Sequence, residues 1–120
     1  MESAAKIIVI DDDAIASFII KKNLMDKGYV NLLFAEHSSQ AIQIFKTEQP
    51  EIAIIDLNIG NESGISLAQE LLKMNTALKI IFLSASIDPA QIQEAKKIKE
   101  AKYVDRFASF DDITNHIEHI

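Results

Sequence analysis

Residues 7–13 read Ile7-Ile8-Val9-Ile10-Asp11-Asp12-Asp13, four branched apolar residues followed by three carboxylates. The apolar run has no polar position inside it, which predicts a β-strand buried on both faces. A second run of the same kind, Ile52-Ala53-Ile54-Ile55, also leads into a carboxylate, Asp56. Strands buried on both faces are typical of parallel sheets, because crossover helices cover both sides of the sheet. The two runs therefore predict an α/β protein with acidic groups at the ends of its strands.

Apolar runs of this length alternate with segments of helical spacing along the chain of 120 residues. The predicted strands occupy residues 6–10, 30–35, 51–55, 78–83 and 103–104. Each is followed by apolar residues three or four positions apart, as in a helix with one buried face. Right-handed crossovers between parallel strands place such helices on both faces of the sheet. We therefore predict one doubly wound (βα)5 domain over residues 1–120, an α/β fold that is flavodoxin-like if its strand order is 2-1-3-4-5.

Capping residues indicate where the helices begin and end. Asp13 is the predicted N-cap of the first helix, and Gly28 is the residue that ends it. Ser38-Ser39 provides the candidate caps of the second helix. Asp88-Pro89-Ala90-Gln91 predicts the start of the fourth helix, with Asp as N-cap, Pro at the first helical position and Gln at the third. Ser109-Phe110-Asp111-Asp112 predicts the start of the fifth helix in the same way.

The composition excludes several classes of function. With 12 Lys+Arg against 18 Asp+Glu the formal net charge is −6, which disfavours direct binding to nucleic acid. The chain has no cysteine, so disulfides, Cys-ligated zinc, iron–sulfur clusters and thiol catalysis are excluded. It shows no apolar run of the ~18 residues that a membrane span requires, and its start does not resemble a signal peptide. We therefore expect a soluble cytoplasmic protein with neither nucleic acid nor membrane as a direct partner.

Polar side chains follow the predicted strands and point to a phosphoryl-transfer site. Asp11 and Asp12 follow the first strand, Asp56 the third, Ser84 the fourth and Arg106 the fifth. In the order 2-1-3-4-5 the first and third strands are neighbours, so their carboxylates share one crevice at the switch point. Two carboxylates ~4 Å apart repel by roughly 4 kcal/mol at an effective dielectric constant of about 20, so a cation should join them. Oxygen ligands favour Mg²⁺ or Mn²⁺, and an Asp nucleophile beside such an ion indicates phosphoryl transfer onto the side chain.

Helix capping is the alternative role for these carboxylates. It accounts for Asp13, which directly precedes the first helix, but one helix needs only one N-cap. Asp11 and Asp12 are therefore the candidates for the site. Asp56 taken alone is open to either role, and only its partnership with the other strand ends favours the site.

The chain resembles the receiver domain of two-component response regulators and is similar to the stand-alone chemotaxis and sporulation regulators. The resemblance covers essentially all 120 residues. It rests on residues 7–13 and on three further motifs: Ile54-Ile55-Asp56-Leu57-Asn58 with Gly64 downstream, Ile81-Phe82-Leu83-Ser84-Ala85, and Tyr103-Val104-Asp105-Arg106. It implies a signalling switch that catalyses the phosphorylation and dephosphorylation of its own aspartate, rather than a metabolic enzyme.

The resemblance also assigns roles to the acidic residues and to their phosphodonor. Asp56 corresponds to the phosphoacceptor. Asp12, Asp56 and the backbone carbonyl of Asn58 correspond to direct ligands of Mg²⁺, while Asp11 acts mainly through water. The donor would be a histidine kinase or a histidine phosphotransfer protein.

The phosphoryl-binding and switch residues follow from the same resemblance. The hydroxyl of Ser84, the backbone N–H of Ala85 and the side chain of Arg106 correspond to contacts of the phosphoryl group. Asn58 is a further predicted phosphoryl-binding residue and lies where receivers tune the phosphoryl lifetime. Tyr103 corresponds to the aromatic switch residue, which swings inward when Ser84 moves. The output partner, unknown from the sequence, would read the surface of the fourth helix, the fifth strand and the fifth helix.

Three departures from the family pattern matter. Arg106-Phe107 stands where the family has Lys-Pro, so a planar guanidinium replaces a point charge. Ile59-Gly60 replaces the usual Met-Pro, which predicts a more flexible loop after the acceptor. Lys99-Glu100 replaces the Gly-Ala that closes the fourth helix, which predicts an atypical helix end.

Two other functions are compatible with the sequence. The Arg106-Phe107 departure suits a degenerate receiver that acts only as a phosphorylation-independent docking module. Asp11-x-Asp13 and Leu83-Ser84 resemble the first two motifs of haloacid-dehalogenase-like phosphatases, although those enzymes usually have longer chains. The phosphorylated residue separates these hypotheses, because it is Asp56 in a receiver and Asp11 in such a phosphatase.

Overall fold

The structure, a computed structural model, describes residues 3–84, 88–98, 101–105, 113–115 and 117, with the backbone alone at residues 3, 4, 84 and 105. The strands are β1 (Ser3–Ile10), β2 (Tyr29–Ala35), β3 (Ile52–Asp56), β4 (Asn58–Ile59), β5 (Glu62–Ser63), β6 (Lys79–Ser84) and β7 (Lys102–Asp105). The helices are α1 (Ala14–Asp26), α2 (Ser38–Glu48), α3 (Gly64–Met74) and α4 (Pro89–Lys97), and residues 113–115 and 117 are also helical.

Five parallel strands form the main sheet in the order β2-β1-β3-β6-β7. Ile8 of β1 lies between its partners Leu33 of β2 and Ala53 of β3. Since β6 and β7 are the fourth and fifth of the predicted strands, this is the predicted order, and the doubly wound α/β fold is confirmed. Strands β4 and β5 form a separate antiparallel pair that the apolar pattern does not predict.

The sheet buries apolar side chains on both faces because neighbouring residues of a strand point in opposite directions. Ile8 packs in a cluster with Phe45 of α2 and with residues of α3 and α4. Ile7 packs on the other face in a cluster with Leu24 of α1 and Ile113. Full burial of such side chains contributes roughly 1.5–3 kcal/mol each. Residues of β1 and β3 belong to both clusters, so packing on both faces holds these two strands side by side. Their carboxyl ends therefore lie next to each other.

Several helix ends follow the predicted capping residues. The Asp13 carboxylate accepts hydrogen bonds from the backbone N–H groups of Ile15 and Ala16, at 2.9 and 3.3 Å. Gly28, with φ of 94°, follows the last turn of α1. The Asp88 carboxylate accepts a bond of 3.0 Å from the N–H of Ala90, so α4 begins as predicted. The predicted cap at residues 109–112 and the helix end at residues 99–100 lie outside the described residues.

The start of α2 differs from the prediction. The N-cap residue is His37, whose side chain makes no capping bond, so neither Ser38 nor Ser39 is the cap. The carboxylate of Glu62 in β5 instead accepts a hydrogen bond of 2.9 Å from the Ser38 N–H. A side chain 24 positions away thus satisfies a backbone donor that local capping residues usually satisfy.

None of the helices within the described residues combines the length and the apolar character that a membrane crossing requires.

Candidate functional site

Three carboxylates meet at the carboxyl ends of β1 and β3. Asp11 and Asp12 directly follow β1, and Asp56 is the last residue of β3. One oxygen from each carboxylate lies within 4.8 Å of the other two. Asp11 and Asp56 are buried, while Asp12 is exposed. The acids of the two neighbouring strands therefore meet as predicted.

Backbone hydrogen bonds orient the two buried carboxylates. The Asp13 N–H donates to Oδ1 of Asp11 at 2.9 Å, and the Asn58 N–H donates to Oδ1 of Asp56 at 3.2 Å. In each case the donor lies two residues after the acceptor, as in an Asx turn. Asp13 itself caps α1, so its role differs from that of Asp11 and Asp12, which belong to the acidic cluster. The local sequence thus supplies both the acids and the groups that orient them.

A short hairpin that contains Ile59 and Gly60 lies beside the carboxylates. Asn58 pairs with Ser63 and Ile59 pairs with Glu62 in antiparallel register. Gly60 turns the chain with φ of 59°, a left-handed conformation that favours glycine. A Cβ built on Gly60 would lie 3.7 Å from Oδ2 of Asp12, so the turn passes close to the exposed carboxylate.

Gly64 packs the start of α3 directly against the end of β3. A Cβ built on Gly64 would clash with the backbone oxygen of Asp56 and lie 3.0 Å from Cα of Leu57. The Gly64 N–H donates a hydrogen bond of 2.8 Å to the Leu57 carbonyl. The lack of a side chain at Gly64 therefore permits a backbone contact that holds the residues around Asp56.

The other predicted site residues are described to different extents. Ser84 ends β6, one position beyond Leu83, the residue that pairs with Asp56, so its backbone lies at the same edge of the sheet. Tyr103 in β7 is half-buried and packs against the apolar cluster that contains Phe82. Ala85 and Arg106 lie outside the described residues, as does the side chain of Ser84. Their roles stay predictions.

The donor set fits a hard divalent cation. Three carboxylates at these separations repel one another by roughly 3–4 kcal/mol per pair at an effective dielectric constant of about 20. A cation with a preference for oxygen ligands offsets this repulsion. The residues present therefore suit Mg²⁺ or Mn²⁺, and the backbone carbonyl of Asn58 is the further ligand that the sequence resemblance implies.

Millimolar Mg²⁺ should raise the melting temperature of the protein. A ligand that binds only the native state stabilises it by about 1.4 kcal/mol when its concentration is ten times its dissociation constant. Thermal unfolding with Mg²⁺, and with NaCl of equal ionic strength, measures the effect. Asp12→Asn should lose most of the shift, while Asp13→Asn should keep it, because Asn also caps a helix. Absence of a shift in the unmodified protein, or an equal shift in Asp12→Asn, would contradict a metal site here.

Comparison with known proteins gives the family of this fold and site. Residues 7–118 match the model of the response regulator receiver domain. The transcriptional regulatory protein RprY of Bacteroides fragilis is 27% identical over 120 residues, which are 100% of this chain and 50% of that protein. The chain thus spans half the length of this relative.

Solved structures of response regulators superpose on nearly the whole chain. A CheY-like receiver domain protein from Methanospirillum hungatei JF-1 has a TM-score of 0.88 at 18% identity, over 98% of this chain and 93% of that one. A response regulator protein from Burkholderia pseudomallei has a TM-score of 0.80 at 26% identity, over 96% of this chain and 70% of that one. The latter structure contains a phosphorylated aspartic acid, a calcium ion and citrate.

Proposed function

The chain belongs to the response regulator receiver domain family, and on this premise we propose that it is a switch controlled by phosphorylation of Asp56. Receiver domains of this kind interact with histidine kinases or phosphotransfer proteins. Here such a protein would transfer its phosphoryl group to Asp56, and the product would change a surface that an output protein reads. The observation that carries the proposal is the position of the Asp56 carboxylate within 4.8 Å of two further carboxylates at the sheet edge.

The proposed reaction uses Asp56 as a nucleophile. A carboxylate oxygen of Asp56 forms a bond to phosphorus while the bond from phosphorus to the donor histidine nitrogen breaks. Water later attacks the phosphorus, which releases inorganic phosphate and regenerates the carboxylate. The Asn58 N–H orients the acceptor carboxylate before transfer, since it donates to Oδ1. Mg²⁺ held by Asp11, Asp12 and Asp56 would supply positive charge that offsets the charge of the carboxylates and the phosphoryl oxygens.

The chain would catalyse the transfer to and from its own side chain and would not be a metabolic enzyme. In this proposal Ser84, Ala85 and Arg106 contact the phosphoryl group, as the resemblance implies. Movement of Ser84 and Tyr103 then alters the output surface, which would include α4, β7 and the helical residues 113–115 and 117. A hydrogen bond to a charged group contributes roughly 1.5–3 kcal/mol, which shifts a two-state equilibrium by about 10- to 150-fold if only one state forms it.

An exposed apolar surface on α1 supports the proposal that the phosphodonor is a protein. Ile15 and Phe18 are 73% and 65% exposed, and Ile19 is 40% exposed. Because these residues are three or four positions apart, they lie together on one face of the helix. The helix begins directly after Asp13, so Ile15 in its first turn is only a few residues from Asp11 and Asp12. Apolar groups exposed together mark docking surfaces, and we propose that the histidine-bearing protein docks here.

Phe18→Ala should slow transfer from a kinase without affecting the chemistry at Asp56. Loss of an aromatic side chain at the centre of an interface costs about 2 kcal/mol or more, a roughly 30-fold loss in transfer at low receiver concentration. Labelling by acetyl phosphate, which needs no docking surface, should not change. Val30→Ala is the matched control, because Val30 is an exposed apolar residue on β2. Equal transfer rates for Phe18→Ala and the unmodified protein would contradict the assigned face.

Identification of the phosphorylated residue tests the function. The protein is treated with acetyl phosphate and Mg²⁺, and the modified side chain is located by mass spectrometry. Modification of Asp56 supports a receiver, and modification of Asp11 would support the phosphatase hypothesis. The docking-module alternative, which predicts no modification, is not favoured, because the acidic cluster that phosphorylation requires is assembled.

A further inference from the structure

A hydrogen bond joins α4 to the residue that orients the acceptor. Nε2 of Gln91, in the first turn of α4, donates to Oδ1 of Asn58 at 2.9 Å, across 33 positions of sequence. The Asn58 N–H in turn donates to Oδ1 of Asp56 at 3.2 Å. Two hydrogen bonds in series therefore connect the start of α4 with the acceptor carboxylate.

From this connection we infer that Gln91 is a positioning residue for phosphoryl transfer. It holds the side chain of Asn58, and through Asn58 it holds the N–H that orients Asp56. The inference rests on the proposed function of Asp56. It concerns a residue on α4, outside the motifs on which the family resemblance rests.

The hairpin that contains Asn58 needs such support. Strands β4 and β5 have two residues each, and a small hairpin is at best marginally stable by itself. Asn58 is exposed, so packing does little to fix its side chain. Its position therefore depends on hydrogen bonds, and the bond from Gln91 ties it to another element of the fold.

Gln91 is well placed to serve as the fixed end of the connection. Asp88 caps α4 through Ala90, and the Ile92 N–H donates to the Asp88 carbonyl at 3.1 Å, so the first turn is regular. Ala95, one turn later, is buried against the sheet. The capped first turn and the buried Ala95 thus hold the backbone of Gln91 in place. A reacting group that is held within about 0.5 Å of the reactive geometry reacts faster than one whose position varies more widely.

The experiment compares Gln91→Ala and Gln91→Met with Gln93→Ala. Methionine keeps the approximate length and the helix propensity of Gln91 but lacks the donor. Gln93 is exposed on the same helix and is the matched control. Mg²⁺ affinity is measured by titration, the rate of labelling by acetyl phosphate is measured separately, and thermal unfolding confirms that each variant is folded. The backbone amide signal of Asn58 is followed by NMR as a readout that does not depend on activity.

Both Gln91 variants should bind Mg²⁺ more weakly and accept the phosphoryl group more slowly, by roughly two- to tenfold, the contribution of one net hydrogen bond. Their Asn58 amide signal should shift, and Gln93→Ala should match the unmodified protein. Adding Gln91→Ala to Asn58→Ala should cause little further loss, because the two residues act as a pair. Additive losses, or a Gln91→Met protein equal to the unmodified one, would overturn the inference.

The same measurements separate this inference from the proposed function. If the unmodified protein accepts no phosphoryl group, the proposed function fails. The Mg²⁺ titration and the Asn58 amide signal still decide whether Gln91 positions the site. If the unmodified protein is labelled on Asp56 and the Gln91 variants are unaffected in all three readouts, only the positioning role fails.

Discussion

Asp56→Asn should abolish the proposed phosphorylation of the chain by acetyl phosphate and by a histidine kinase. We expect a loss on the order of 10⁴-fold or more, as enzymes show on removal of their nucleophile. The reason is chemical, because an uncharged amide has almost the same shape as a carboxylate but is a far weaker nucleophile. Intact-mass spectrometry after incubation with donor and Mg²⁺ measures the result. Normal labelling of the variant would refute Asp56 as the acceptor.

The stability of Asp56→Asn provides an independent check on this variant. In the absence of Mg²⁺ the substitution removes one of three clustered negative charges, two of them on buried residues. We therefore expect a melting temperature equal to or above that of the unmodified protein. Asp13→Asn is the matched control for labelling, because Asp13 caps α1 and lies outside the cluster. Labelling lost in both variants would indicate a general effect of charge rather than loss of the nucleophile.

Gly64→Ala should destabilise the protein more than other glycine-to-alanine changes. The new Cβ would clash with the backbone oxygen of Asp56 and lie 2.9 Å from its carbonyl carbon, and no rotamer can relieve a clash with backbone. The start of α3 would have to move, which would also strain the Gly64–Leu57 hydrogen bond. We expect a loss of about 3 kcal/mol, which lowers the melting temperature by roughly 10 °C.

Gly60→Ala is the comparison for this prediction. At Gly60 the obstacle is the backbone conformation, with φ of 59°, and the nearest atom to a new Cβ is at an ordinary distance of 3.7 Å. A left-handed conformation costs a residue with a side chain roughly 1–2 kcal/mol. Thermal and urea unfolding of both variants should therefore rank Gly64→Ala as the less stable. A Gly64→Ala protein as stable as the unmodified one would contradict the close contact between α3 and β3.

Much of the fold could be predicted because its signals are local. The apolar runs at residues 7–10 and 52–55 are long enough to identify buried strands, and Asp13, Gly28 and Asp88 each act within a few positions of themselves. The predicted bounds of the strands are less accurate than the prediction that the strands exist. Strand β1 begins at Ser3 rather than at residue 6, since pairing with Tyr29 of β2 extends it.

The features that sequence reasoning missed depend on distant contacts. The first N–H of α2, that of Ser38, donates to the side chain of Glu62, which no rule about neighbouring residues can find. Strands of two residues, such as β4 and β5, are too short to show a repeating pattern of apolar residues. The pattern around Gln91 indicated a helix start, and nothing in it pointed to a bond with Asn58.

The candidate site was predictable to the extent that it lies at the ends of strands. Once Asp11, Asp12 and Asp56 follow strands that are neighbours, the topology brings them together. The roles of Ser84 and Tyr103 rest on family resemblance and stay predictions. The extent of the domain, residues 1–120, likewise remains a proposal.

The order of the main sheet has a consequence for synthesis on the ribosome. Strands β1 and β2 emerge first and can pair at once, and β3 then adds to the open side of β1. Strands β6 and β7 extend the same growing edge in the sequence in which they are translated. Among the strands that the structure describes, no later one has to insert between two that have already paired. The nascent chain can therefore assemble its sheet during elongation without reopening a completed pair.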